Sequence, residues 1–195
     1  MKKGKIILFN GVTSSGKTTL SKVLQNRLSE VFFRFEIDMY AEKGFILDTL
    51  IDIAPDKFKN HAPIIRNDDP ITNLAGFYNV VKIFSDLGLN VVVDTVFAKN
   101  MMPLYVCLDL LYDYPVLFVH VICPLEELRR REKERVPQKI GAGESILPLI
   151  EPQDTYDITV DTFNETNEKC ADRIIELLEH TEKHTAFKTL WLQHN

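Results

Sequence analysis

The chain has 195 residues, 45% of them hydrophobic and 26% charged, enough for one domain with a real core and ordinary for a soluble globular protein. A net charge of −5 argues against a nucleic-acid surface, which needs a basic footprint, and no apolar run approaches the ~20 residues of a membrane span. Cys107, Cys123 and Cys170 are odd in number, far apart and without a C-x-x-C pair, so neither a disulfide framework nor a zinc site is indicated, and a reduced cytoplasm fits.

The apolar run after Met1-Lys2-Lys3-Gly4 is too short for the core of a signal peptide. It is the strand Lys5–Phe9, and it leads into Gly11-Val12-Thr13-Ser14-Ser15-Gly16-Lys17-Thr18. That stretch fits G-x-x-x-x-G-K-[ST], the turn that cradles the phosphates of a nucleoside triphosphate. Leu20, Val23, Leu24 and Leu28 then recur at helical spacing, so Thr18 to about Glu30 is an amphipathic helix. Strand, glycine turn and helix are the context the chemistry needs. The glycines let backbone N–H groups converge on a phosphate, and the helix start adds partial positive charge. Lys17 can reach the β- and γ-phosphates, and the Thr18 hydroxyl can bind Mg²⁺.

A second strand, Val31–Asp38, ends on an acid, and Met39–Ile53 reads as helix. Pro55–Pro70 is loop-like, with three prolines and Asn67-Asp68-Asp69. Helix resumes over Ile71–Leu87, closed by Gly88. Asn90–Asp94 is a third strand, apolar throughout until its acid, as expected of a strand buried on both faces. Met102–Leu111 is helical, Val116–Cys123 is a fourth strand, and Pro124 stands at the first position of a helix running through Arg129–Arg135. Pro137–Pro152 is irregular around one helical turn; Tyr156–Asp161 is a fifth strand and Glu165–His180 a last helix. Strands alternating with helices predict an α/β fold with a five-stranded parallel sheet between helical layers, and no linker divides residues 1–195, so one domain is expected.

In an open parallel sheet, ligands sit beyond the carboxyl ends of the strands. With strands two and three flanking the first, Asp38 and Asp94 would face one crevice with the glycine turn. One acid near Mg²⁺ and one near an attacking hydroxyl is the minimum a phosphotransferase requires. Asp94, ending a Val-Val-Val run, is the candidate for the metal. Arg131 and Arg135, four apart on one helix face, are candidates for a lid over the phosphates; Arg129 and Arg130 read as solvated charge. His120, inside an apolar strand, is expected to be a hydrogen-bonded core residue. Asp161 and Thr162 end strand five near where a nucleobase would lie. Phe187, Leu190 and Trp191 read as tail packing or a homodimer contact.

Taken together, "ILFNGVTSSGKTT", "FRFEID", "VVVDTVF", "RREKER" and "YDITVDT" resemble the chloramphenicol phosphotransferase-like family of P-loop kinases. The likeness lapses over Lys43–Thr72, the part that would sit over the acceptor. The resemblance implies a P-loop NTPase/kinase-like three-layer sandwich with an Arg-bearing lid. It further implies ATP and Mg²⁺ as cofactors, and transfer of the γ-phosphate to a hydroxyl of a small molecule. It places ATP on Gly11, Thr13, Ser14 and Ser15 of the turn and on Gly16, Lys17, Thr18 and Thr19 at the helix start. Asp38 is then the general base, and Lys17, Arg131 and Arg135 stabilise the transferred phosphate; the residues themselves offer Thr18 for the metal, and Asp94 either for the metal, through water, or to orient the acceptor. Two rivals stand beside it: a nucleoside or nucleotide kinase, and a regulatory ATPase that transfers nothing.

Overall fold

The computed structural model describes residues 2–37, 70–98, 102–135, 141–150 and 155–194, the side chains of residues 70–73 and of Arg135 excepted. Along these segments run β1 (Ile6–Asn10), α1 (Lys17–Arg27), β2 (Phe32–Glu36), α2 (Pro70–Asp86), β3 (Asn90–Thr95), α3 (Met102–Leu111), β4 (Val116–Ile122), α4 (Leu125–Arg135), α5 (Ala142–Ile146), β5 (Ile158–Asp161), α6 (Asn167–Leu178) and α7 (Ala186–His194).

The five strands form one parallel sheet in the order β2-β3-β1-β4-β5. β1 is therefore central, and the glycine turn leaves the middle of the sheet's carboxyl edge. Its neighbours are β3, with Phe9 opposite Asp94, and β4, with Asn10 opposite His120. β2 does not flank β1 as the sequence suggested. It lies one strand further out, with Glu36 opposite Asp94.

Strands buried on both faces alternate between two helical layers. Ile6 and Leu8 of β1 face a core shared with Phe77 and Tyr78 of α2, Leu104 and Leu108 of α3, and Phe187 of α7. Ile7 and Phe9 face a second core with Leu20 and Leu24 of α1 and Ile174 of α6. Among the described residues no helix is long and apolar enough to cross a membrane.

The predicted elements that fall on described residues hold in kind, with edges shifted by one to three residues; the expected helix Met39–Ile53 and the loop-like stretch before Pro70 lie outside the described residues. The largest difference at a strand start is at β5, expected from Tyr156 but beginning at Ile158. Just before it, the Asp157 backbone N–H donates to the Phe118 carbonyl at 3.0 Å, while its carboxylate accepts from the Phe118 backbone N–H at 2.8 Å and from the N–H groups of Thr185 and Ala186, each at 2.9 Å, at the start of α7. α7 itself was not anticipated. It puts Phe187 and Leu190 into the core and stacks Trp191 on Tyr112, with ring centroids 3.9 Å apart. The apolar tail cluster is thus intramolecular packing.

Candidate active site

The site is built at the head of α1. No side chain caps this helix; its N-cap is Gly16 at φ 99°, a left-handed conformation favourable to glycine. The first-turn N–H groups of a helix have no acceptors within it, so a loop curling over that end makes a seat for an anion. The curl costs something locally. Ser14 is the one non-glycine residue with positive φ among the described residues, at 65°, a conformation worth roughly 1–3 kcal/mol of strain.

Lys17, Thr18 and Asp94 meet there. The Lys17 ammonium donates to the Gly11 and Val12 carbonyls at 2.8 and 3.1 Å, and stands 3.6 Å from Asp94 Oδ1. The Thr18 hydroxyl donates to Asp94 Oδ2 at 2.9 Å. Lys17 and Asp94 are each only 7% exposed, so each charge is tolerated because the other is beside it. β3 supplies Asp94 from the strand next to β1, which brings its carboxylate to the level of the loop. Thr18 and Asp94 are hard oxygen donors, the kind Mg²⁺ takes together with phosphate oxygens.

Behind the loop, Asn10 acts as a clamp. Its Oδ1 accepts from Gly11 N–H at 3.0 Å and Phe97 N–H at 2.7 Å, and its amide donates to the Phe97 carbonyl at 3.1 Å and the Tyr156 hydroxyl at 2.8 Å. One fully buried side chain thus ties the start of the turn to the chain leaving β3. Sequence reading missed it: a polar residue closing an apolar strand looks like a strand end. The available signal was its position directly before the first glycine of the motif.

A cavity of about 530 Å³ opens over this arrangement. Thr13, Ser14, Gly16, Lys17, Thr18, Thr19 and Asp94 line it, joined by Arg131 from α4 and Thr162 from the end of β5. Gly11 and Ser15 lie buried beneath the loop. Arg131 faces the site but is knitted into its wall. It donates to Glu127 at 2.7 Å, to Thr162 Oγ1 and the Thr162 carbonyl at 3.1 Å each, and to the Ser14 carbonyl at 3.4 Å. Hydrogen bonds from Arg130 and Arg131 hold the Glu127 carboxyl down to about 2. Arg129 and Arg130 pair with Glu126, Glu144, Glu127 and Glu134, and the guanidinium groups stand in solvent that screens these pairs.

Two of the expected catalytic groups lie outside what is described: Asp38, and the side chain of Arg135 at the end of α4. Asp161 is a turn former. Its burial is outweighed by hydrogen bonds from Phe163 and Asn164, so its carboxyl titrates lower than usual. His120 is buried as expected but not hydrogen-bonded as expected. Its Nδ1 has no partner among the described residues, its ring stacks on Tyr156 at 4.4 Å, and burial pushes its pKa down to about 4.

The profile of the chloramphenicol phosphotransferase-like proteins matches residues 4–179. An adenylyl-sulfate kinase of Clostridium acetobutylicum is 26% identical over 182 residues, 90% of this chain and 84% of that one. A Mycobacterium tuberculosis protein provisionally named an O-phosphotransferase is 28% identical over 174 residues, 83% of this chain and 76% of its own. Among solved structures, Mycobacterium tuberculosis APS kinase in complex with AMPPNP and APS superposes with a TM-score of 0.62 at 18% identity, covering 92% of this chain and 99% of that one. At that identity the likeness is one of fold.

Proposed function

This chain belongs to the chloramphenicol phosphotransferase-like family, and we propose that it is an ATP-dependent O-phosphotransferase acting on a hydroxyl of a small molecule. The observation that carries the reading is the meeting of Lys17, Thr18 and Asp94 at the head of α1. An ammonium suited to phosphate oxygens and a hydroxyl–carboxylate pair suited to Mg²⁺ share one cavity wall.

In this reading the triphosphate lies on the N–H groups of the loop and of the first turn of α1. Lys17 exchanges its carbonyl partners for the β- and γ-phosphates. Thr18 and Asp94 would hold Mg²⁺, which supplies neutralisation of phosphate charge when bound. Asp38 accepts the proton of the acceptor hydroxyl. Arg131, with Arg135, lends positive charge beside the transferred group. Catalysis of this kind is positioning plus charge compensation. The single-domain organisation, and a cytoplasmic location in keeping with three free, buried cysteines, belong to the same proposal.

A second reading, a nucleotide-type acceptor, is favoured by the adenylyl-sulfate kinase relative. One experiment separates the possibilities: ATP consumption with Mg²⁺ against a panel of neutral alcohols, nucleosides and adenylyl sulfate. Acceleration by an alcohol supports the first reading and acceleration by adenylyl sulfate or a nucleoside the second. Slow hydrolysis indifferent to every acceptor would leave a regulatory ATPase and defeat both.

A further inference from the structure

α4 carries a carboxylate that the chemistry above does not use. Glu132 is only 3% exposed, although it sits in a run of charged residues. Its Oε2 accepts from the Gly141 N–H at 2.7 Å and its Oε1 from the Gly143 N–H at 2.8 Å. Both oxygens are thereby spent on drawing the start of α5 against α4. Gly143, so held, lies against the nucleotide loop. A Cβ there would fall 2.9 Å from the Thr13 carbonyl oxygen, 3.0 Å from Glu132 Oε1 and 3.6 Å from Val12. Only a glycine lets the two backbones approach this closely.

The loop is therefore braced on two consecutive residues. On Thr13 presses Gly143, positioned by Glu132. On the Ser14 carbonyl rests Arg131, the residue before Glu132. Ser14 is the residue with the left-handed backbone, a conformation that persists only where its surroundings fix it. We propose that Glu132 is a positioning residue for the nucleotide site: by seating Gly143 on Thr13 it holds the strained loop in the shape that receives the triphosphate. The inference rests on the nucleotide-binding reading above and adds that α5 is part of what preorganises the site.

A second bridge joins the same two helices and supplies the control. Arg129 pairs with Glu144 at the surface, where solvent screens it, and among the described residues the Glu144 carboxylate accepts from Arg129 and not from the loop. The experiment is calorimetric titration with a non-hydrolysable ATP analogue and Mg²⁺, well below the unfolding midpoint, on the parent, Glu132→Gln, Gly143→Ala and Glu144→Gln. Glu132→Gln is isosteric but turns an amide donor toward a backbone N–H; Gly143→Ala perturbs the same contact from the other side. Each should weaken binding about tenfold, and the double variant should be scarcely weaker than the worse single one, because both act through one contact. Glu144→Gln should stay within about twofold. A parent that binds with Glu132→Gln and Gly143→Ala unchanged, even if their unfolding midpoints fall, overturns the inference alone. A parent that does not bind removes the nucleotide reading and the inference with it.

Discussion

Lys17 and Asp94 stand 3.6 Å apart at the head of α1, their side chains 8% and 10% exposed. Each compensates the other's charge, and Thr18 holds the second oxygen of the carboxylate. The pair is a charge-balanced resting state of the loop. In the proposed reading, a bound triphosphate draws the ammonium off the Gly11 and Val12 carbonyls.

Replacing Lys17 by Ala should weaken ATP binding by on the order of 10–100-fold, the range for losing charge-assisted hydrogen bonds. It also takes a cation from beside the buried Asp94 carboxylate, so the unfolding midpoint should fall. Isothermal calorimetry and thermal unfolding measure both effects. Unchanged ATP affinity would remove Lys17 from the phosphate site.

Asp38→Asn should behave differently. ATP affinity is expected to stay within a few-fold of the parent, while phosphate transfer falls by roughly 10²–10⁴-fold, the usual worth of a general base. Comparing single-turnover rates with calorimetric affinities tests this. A variant that transfers as fast as the parent would end the assignment.

Asn10→Ala removes four hydrogen bonds in one step and leaves the N–H groups of Gly11 and Phe97 without their acceptor. A destabilisation of about 3 kcal/mol is expected from buried polar groups left unpaired. Denaturant unfolding followed by circular dichroism would read it, and a change below about 0.5 kcal/mol would show that the clamp is incidental.

His120 gives a pH dependence with a definite sign. Burial lowers its folded pKa from 6.5 to about 4, so between those values the unfolded chain binds more protons than the folded one. Its contribution to stability is intact above pH 6.5 and is lost as pH falls toward 4. Denaturation midpoints at pH 7 and pH 5 should therefore differ in the parent, and less so in His120→Phe. An equal pH slope in both would exclude His120 as the cause.

The glycine turn was legible because its residues carry their own geometry: strand, turn and helix are local, and Gly16 adopts the left-handed conformation the motif implies. The place of Asp94 beside the turn was legible because an apolar run marks a buried strand whose last residue reaches the sheet's carboxyl edge, although Asp161, ending β5 in the same way, serves a turn instead. The order of the strands was not, since nothing local says that β3 rather than β2 lies beside β1. Glu132 was hidden in a charge run that reads as solvent-facing. The signal that could have found it is Leu128, buried and one helical turn earlier on the same face. That Arg131 lines the cavity agrees with its expected place near the loop, but its bonds to Thr162 and Ser14 are long-range and follow only from the fold.

Trp191, the single tryptophan of the chain, stacks flat on Tyr112 at an interplanar angle of 9° and donates its indole N–H to Asp109 at 3.1 Å. Its fluorescence is thus a built-in optical reporter of one joint, the seating of α7 on the end of α3. Emission that shifts before the circular dichroism signal does would reveal the carboxyl-terminal helix peeling away ahead of global melting.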